Sequence, residues 1–355
     1  MWIYLLLAAG LFMGWSLGTN DAANAFGTAV ATRVVRYRTA VIIIAVMVLL
    51  GAVTLGHNNI HKLASIATNN KVTASIEEVE SAVAAGALQT LRLQSALKAF
   101  IVFACAAITV FVMSYLKFPV SANQSITGAV IGWGLCYADY SDPVVMKGNV
   151  TEMLEFASTW IINPMGAMAI SFVLVLITKK LIEPRVTSMK RYDWIIRIGY
   201  LIAGGFSAFS IGQNSAASVT AFYYDATGLG ANLLVDARIT AILGGVAIAV
   251  GVLTFSKRVM MTVGSSIAEI SQMDGFVVVI ASALTVLLMG KLMGIPVSTS
   301  QSVVGAVVGA GLVSGVKKVN FGVFKRIAIA WVSSPTAAGL LTYLVALCTK
   351  SYFAA

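Results

Sequence analysis

The chain has 355 residues, of which 59% are hydrophobic and only 11% charged, and its mean hydropathy is +0.89. Soluble domains carry about 25% charged residues, so this composition excludes a water-soluble globular fold and describes a polytopic membrane protein. The formal charge of +10 reads as an orientation signal rather than a nucleic-acid footprint, and no nucleic-acid partner is expected.

Segments long enough to cross a hydrocarbon core of roughly 30 Å recur about ten times: residues 2–32, 39–56, 98–116, 119–138, 155–178, 195–224, 237–255, 275–293, 295–313 and 322–347. The first and sixth are longer than a crossing needs and are expected to be broken. Met1-Trp2-Ile3-Tyr4 enters apolar sequence without a basic leader or an Ala-x-Ala site, so the start reads as a retained first span. Orientation follows from Lys and Arg in the loops. With the N-terminus outside, 16 of the 24 basic residues fall inside, among them Arg33, Arg36, Lys179, Arg185, Lys257 and Lys325. Both termini are then extracellular, residues 57–97 and 139–153 face outward, and the expected location is the plasma membrane. Cys105, Cys136 and Cys348 sit in apolar runs and read as small hydrophobes rather than as a disulfide or metal site.

The sequence repeats itself. Phe118-Pro119-Val120-Ser121-Ala122-Asn123-Gln124-Ser125 and Ile295-Pro296-Val297-Ser298-Thr299-Ser300-Gln301-Ser302 each precede a Gly/Ala/Val-rich run. Pro119 and Pro296 stand 177 positions apart; Gly18-Thr19-Asn20 and Gly212-Gln213-Asn214 match at 194, Ser65-Ile66-Ala67 and Ser266-Ile267-Ala268 at 201, and Trp160–Pro164 and Trp331–Pro335 at 171. The drop from 201 to 177 places an excess of 24 residues in the first half, around Asn69 to Arg92. Glu77, Glu78 and Glu80 in that excess read as a solvated face. Five spans per half is odd, so the second copy is inserted upside down. The expected fold is an all-α polytopic membrane protein of two inverted-topology five-span repeats, with broken or re-entrant helices at the midplane: residues 1–178, a cytoplasmic basic linker at 179–194, and residues 195–355.

Inverted repeats with matching interruptions place a substrate site where the interrupted segments meet. Helices beginning after Pro119 and Pro296 expose free backbone N–H groups and a positive dipole end, with Ser121 and Ser298 as natural caps. The expected anion-binding set is Asp21, Ser121, Asn123, Gln124, Ser125, Ser215, Ser298, Thr299, Ser300 and Gln301. Small residues in Gly18–Asn24 and Gly212–Ser218 permit unwinding, and side-chain oxygens of Asn20, Asp21, Asn24, Gln124, Asn214 and Gln301 suit a hard cation such as Na⁺. Asp21 is the one carboxylate well inside an expected span. A charge there costs about 2.5 to 3.5 kcal/mol, so it needs a function or a cationic partner. His57 and His61, at i and i+4, lack a third ligand and read as an interfacial polar turn.

Gly18-Thr19-Asn20-Asp21-Ala22-Ala23-Asn24-Ala25 resembles the G-x-N-D-x-A-N-A signature of the PiT inorganic phosphate transporters, and the two Pro-Val-Ser-x-x-Gln segments resemble that family's second hallmark. The resemblance extends over essentially the whole chain, including Thr262-Val263-Gly264 and Asp274-Gly275-Phe276. It implies cation-coupled uptake of a tetrahedral oxyanion, usually by a homodimer, with the signature Asp and Asn of both halves at the cation and anion sites. One departure is Asn214-Ser215, where phosphate-carrying relatives repeat Asn-Asp. Phosphate brings a proton that a carboxylate can accept, whereas sulfate has none; sulfate, carried by a branch of the same superfamily, is therefore the alternative to phosphate.

Symport fits the energetics. Moving a divalent anion inward against about 100 mV costs roughly 4.6 kcal/mol, and two co-transported Na⁺ cancel that charge. H⁺ is the alternative coupling ion, and no resident cofactor is expected. A channel would carry a continuous polar lining, while these spans concentrate polar residues at four points. No H-E-x-x-H, G-x-S-x-G or P-loop pattern marks an enzyme.

Overall fold

The computed structural model describes residues 2–69, 72–116, 120–137, 143–225, 232–234, 236–263, 270–293 and 297–353. Pro119, Pro296 and Ser266-Ile267-Ala268, used above as sequence anchors, lie outside the described residues. Among the described residues nearly every segment is helical, and the pairing of Tyr224 with Leu234 is an isolated bridge. In lipid a chain must satisfy its own backbone groups, which helices do locally. In chain order the helices are α1 (Leu7–Ala31), α2 (Tyr37–Leu55), α3 (Ile60–Asn69), α4 (Ile76–Ala84), α5 (Leu88–Tyr115), α6 (Ala122–Tyr137) and α7 (Pro143–Ile177). They continue with α8 (Met189–Ser215), α9 (Ala237–Phe255), α10 (Lys257–Val263), α11 (Gln272–Met293), α12 (Thr299–Ser314) and α13 (Phe321–Phe353).

Among the described residues seven helices are long and apolar enough to cross a membrane, against the ten segments expected. Three expected spans fall short, each for its own reason. α6 and α12 have 16 residues each, about 24 Å of helix, less than the hydrocarbon core. α1 has 25 residues but carries the polar cluster around Asn20. The expected break in that first segment is also absent: α1 is helical without interruption from Leu7 through Asn20, Asp21 and Asn24 to Ala31. Its polar side chains find partners on neighbouring elements, so the backbone has no need to open. The sixth segment does break. α8 ends at Ser215 and gives way to short 3-10 turns at Ala217–Val219 and Ala221–Tyr223.

The short helices belong to hairpins. α6 packs beside α5 and α12 beside α11, and each short helix follows a non-helical serine, Ser121 or Ser298, the latter extended. Both starts point inward, since Val120 lies against Asn20 in mid-α1 and Val297 against Asn214 near the end of α8. Each hairpin then leans on the long helix of the other half, α6 on α13 and α12 on α7.

Glycines set how closely these helices cross, and the crossings come in pairs. A Cβ on Gly18 of α1 would overlap the Ile248 carbonyl of α9, and one on Gly212 of α8 would overlap the Val48 carbonyl of α2. Gly128 of α6 lies against the Pro335 carbonyl of α13, and Gly305 of α12 against that of Pro164 in α7. Such backbone-to-backbone approach is how small residues hold membrane helices together, where no hydrophobic drive exists between them. The far ends of the short helices are tied as well. Lys179 donates to Ser314 at the end of α12 (2.7 Å), and Lys350 donates to the Cys136 carbonyl near the end of α6 (3.1 Å); a cation suits a helix C-terminus. Apolar residues at helical spacing, such as Ile42, Val46, Leu50 and Val53 of α2, face outward.

Candidate functional site

The interior polar cluster is built from the middle of α1, the end of α8 and the starts of α6 and α12. Ser121 and Ser298 cap those two short helices, their hydroxyl oxygens accepting from the backbone N–H groups of Gln124 (3.3 Å) and Gln301 (3.2 Å). The caps follow from sequence, since a serine after extended backbone satisfies an N–H that the first turn leaves free. Two positive helix ends therefore converge on one buried volume.

Asparagines hold the two tips in place. Asn20 donates to the Val120 carbonyl (2.8 Å), and Asn214 donates to the Val297 carbonyl (2.8 Å) while accepting from the Val297 N–H (3.0 Å). The tips also grip each other across the cluster, Asn123 donating to the Val297 carbonyl (3.1 Å) and Ser300 to the Val120 carbonyl (3.2 Å). Asn163 of α7 locks α12 from behind: it donates to the Ser298 carbonyl (2.7 Å) and accepts from Ser302 (2.8 Å).

Asp21 is 4% exposed and meets only neutral groups. Thr299 donates to its Oδ2 at 2.7 Å and Asn24 to its Oδ1 at 3.1 Å. Asn24 is also within reach of Thr299 and Ser300, at 3.2 Å each. No lysine or arginine pairs with Asp21 among the described residues. Charging a buried carboxylate that has only neutral donors is costly, a cost that a cation beside it would offset, and the oxygens of Asp21, Asn24 and Thr299 are of the hard type that such a cation takes.

The side-chain amides of Gln124 and Gln301 stand apart. Both residues are buried, and both amides lack hydrogen-bond partners among the described residues. Leaving a buried polar group unsatisfied costs about 1–3 kcal/mol, and a ligand that accepts and donates hydrogen bonds would satisfy these two groups at related positions. The remaining donors are committed elsewhere. Ser125 turns back to the Ser121 carbonyl (3.3 Å), Asn123 and Ser300 bridge the tips, and Thr299 serves Asp21. Ser215 accepts from Asn214 at 3.3 Å.

All thirteen expected site residues thus lie in this one cluster, on α1, α8, α6 and α12 or the caps before them. Three participants escaped the sequence reading. The Val120 and Val297 carbonyls are main-chain acceptors and leave no mark in sequence, and Asn163 had served only as an alignment anchor. Asp274, which the sequence reading cited for the family resemblance without a site role, is a further carboxylate, 2% exposed in the first turn of α11 and 3.5 Å from Lys179. It sits at the far end of α12, paired with a base, and so differs in kind from Asp21. His61 stacks edge-on against Tyr224.

A family model described as the phosphate transporter family matches residues 17–342. A protein of Thermococcus kodakarensis provisionally named a phosphate permease is 29% identical, the alignment covering 97% of each chain. A chloroplastic inorganic phosphate transporter of Arabidopsis thaliana is 24% identical over 98% of this chain and 72% of its own. Among solved structures, one titled "The sodium-dependent phosphate transporter" shares the fold at a TM-score of 0.76, with 24% identity and 99% of each chain covered.

Proposed function

We propose that this chain, which belongs to the phosphate transporter family, accumulates inorganic phosphate by symport with Na⁺. It is a membrane transporter and not an enzyme. The observation that carries the reading is the pairing of two unsatisfied buried amides, Gln124 and Gln301, with a buried carboxylate that has no base, all at the convergence of two helix N-termini. An oxyanion suits the helix ends and the amide N–H groups. A cation on the oxygens of Asp21, Asn24 and Thr299 offsets both the carboxylate and the anion beside it, which makes binding of each favour the other. The name of the structural neighbour, a sodium-dependent transporter, supports Na⁺ as that cation.

The paired glycine crossings support an inverted repeat. Gly18 and Gly212 are 194 positions apart and Gly128 and Gly305 are 177 apart, the same offsets at which the motifs match. With α5–α6 and α11–α12 each entering and leaving on one face in spite of the length of α5 and α11, and with α1 crossing in spite of its polar cluster, each half crosses three times. That number is again odd, so the second half enters upside down, the loop after α7 is cytoplasmic and both termini are outside the cell. Rocking of one half against the other around the fixed cluster then supplies alternating access. A homodimer in the plasma membrane is the assembly the family resemblance favours. A cysteine placed at Ser188 tests the topology: in intact cells it should escape an impermeant thiol reagent, and labelling there reverses the assignment.

Purified protein in proteoliposomes, given radiolabelled phosphate or sulfate under an imposed Na⁺ or pH gradient, tests the function. Phosphate should be concentrated when Na⁺ is high outside. Uptake driven only by the pH gradient assigns H⁺ as the coupling ion. Preferential uptake of sulfate, the reading that Ser215 favours because sulfate has no proton for a second carboxylate to accept, overturns phosphate.

A further inference from the structure

We propose that a second anion site lies at the basic end of the helix bundle, between the α1–α2 turn and α8, and that it binds a phosphate group presented by an anionic phospholipid or by free inorganic phosphate. A cavity of about 280 Å³ there is lined by Arg33, Arg36, Thr39 and Arg197, with Val34, Val35 and Leu201 supplying apolar wall.

Two observations point to a ligand. Three exposed arginines, Arg33, Arg36 and Arg197, line one cavity, yet none pairs with a carboxylate among the described residues; Asp193, one turn before Arg197 on α8, makes no ion pair with it. Gathering like charges is unfavourable unless an anion joins them, and guanidinium forks match phosphate oxygens two at a time. Arg33 is also the single described non-glycine residue with positive φ, at 60°. It terminates α1, with its N–H on the Val30 carbonyl and the Val35 N–H on that of Ala29, a position that glycine or asparagine ordinarily fills. Keeping arginine in a left-handed conformation is unfavourable for the backbone, and the side chain so placed borders the cavity. Orientation in the membrane requires neither a shared cavity nor a strained backbone. Thr39, in the first turn of α2, adds a hydroxyl close to N–H groups that the helix leaves unbonded.

The site is distinct from the transport cluster and independent of what the protein carries. It joins the end of α1, which holds Asp21 and Asn24, to the first half of α8, which leads to Asn214.

The test uses full-length protein and a variant with Arg33→Gln, Arg36→Gln and Arg197→Gln. Native mass spectrometry after reconstitution in phosphatidylcholine containing phosphatidylglycerol counts retained lipid, and equilibrium dialysis with radiolabelled inorganic phosphate counts bound phosphate. Loss of one phosphatidylglycerol with phosphate stoichiometry unchanged assigns a lipid phosphate; loss of one inorganic phosphate with lipid count unchanged assigns the free ion. Equal counts of both in variant and wild type overturn the proposal. Arg33→Gly guards against misfolding, because glycine suits the left-handed position. It should raise the melting temperature while weakening phosphate-group binding about tenfold, one charged hydrogen bond's worth; unchanged binding in this variant also counts against the site.

Discussion

The two sides of the central cluster share a scaffold and differ in chemistry. Asn20 holds the Val120 carbonyl as Asn214 holds that of Val297, and the cross-links from Asn123 and Ser300 mirror each other. The neighbours of those asparagines diverge together. Asp21, Asn24 and Thr299 form a hydrogen-bonded triangle on one side, while the residues at matching offsets on the other are Ser215, Ser218 and Ala122. The backbone follows the difference: α1 stays helical through its triangle, whereas α8 ends at Ser215. A triangle present on one side alone leaves that side with a carboxylate and the other neutral, the division expected if the proposed cation sits on the first. The positioning asparagines are kept on both because both tips must be held.

Removing the charge should have the largest effect. Asp21→Asn keeps the shape and still accepts one hydrogen bond, so folding should survive, but the cation loses its only buried carboxylate. Accumulation of phosphate against its gradient in proteoliposomes with Na⁺ high outside should vanish, and added Na⁺ should no longer tighten phosphate binding, since coupling is reciprocal. Concentrative uptake by this variant would show that the two sides do not divide the labour in this way.

The shared scaffold predicts equal damage on both sides. Valine at Gly18 or at Gly212 meets main-chain carbonyls, at Ile248 and Val48, which cannot rotate away as a side chain could. Each substitution should destabilise by about 3 kcal/mol or more, the upper end for overpacking, read as a fall in melting temperature of the detergent-solubilised protein. A large loss from one glycine and tolerance at the other would break the equivalence of the crossings.

Gln124 and Gln301 sharpen the comparison at the next level, because they match in position and in lacking partners. Replacing either by alanine removes a donor to the anion, and each should weaken phosphate affinity by about 1.5–3 kcal/mol, roughly ten- to a hundredfold. Isothermal titration at saturating Na⁺ reads both. Unchanged affinity in the two variants contradicts a shared anion site.

How much of this was legible in the sequence depends on which atoms are involved. Side-chain chemistry was visible: the capping serines, the paired glutamines and the buried Asp21 all stand in motifs that repeat at fixed offsets. Main-chain partners were not, so the roles of the Val120 and Val297 carbonyls emerged only from the structure. Apolar length misled at α6 and α12, because hydropathy does not separate a crossing helix from one that turns back at the middle. Composition misled at α1, where Gly18, Ala22 and Ala23 read as licence to unwind. In the fold Gly18 lets Ile248 approach, and the polar side chains beside it are satisfied sideways. The Lys179–Asp274 pair joins residues 95 positions apart, and no local pattern announces such contacts.

The smallest expected effect concerns anion choice, and it asks whether the charged side can be rebuilt on the neutral one. Ser215→Asp alone would place a carboxylate where Asn214 is the one donor seen to reach residue 215 and where Ala122 stands in the place of Thr299. Burying it under-satisfied costs about 1–3 kcal/mol, which should appear as a lower melting temperature. Adding Ala122→Thr restores the hydroxyl that Thr299 gives Asp21, so the double variant should recover part of that loss. In selectivity the new carboxylate can accept a proton from phosphate but finds only lone pairs on sulfate. The ratio of phosphate to sulfate uptake should rise by the net worth of one hydrogen bond, about 0.5–1.5 kcal/mol, or roughly two- to tenfold. Rescue of stability without any change in that ratio would mean that the neutral side only holds its tip in place, leaving anion choice to the glutamines and the two helix ends.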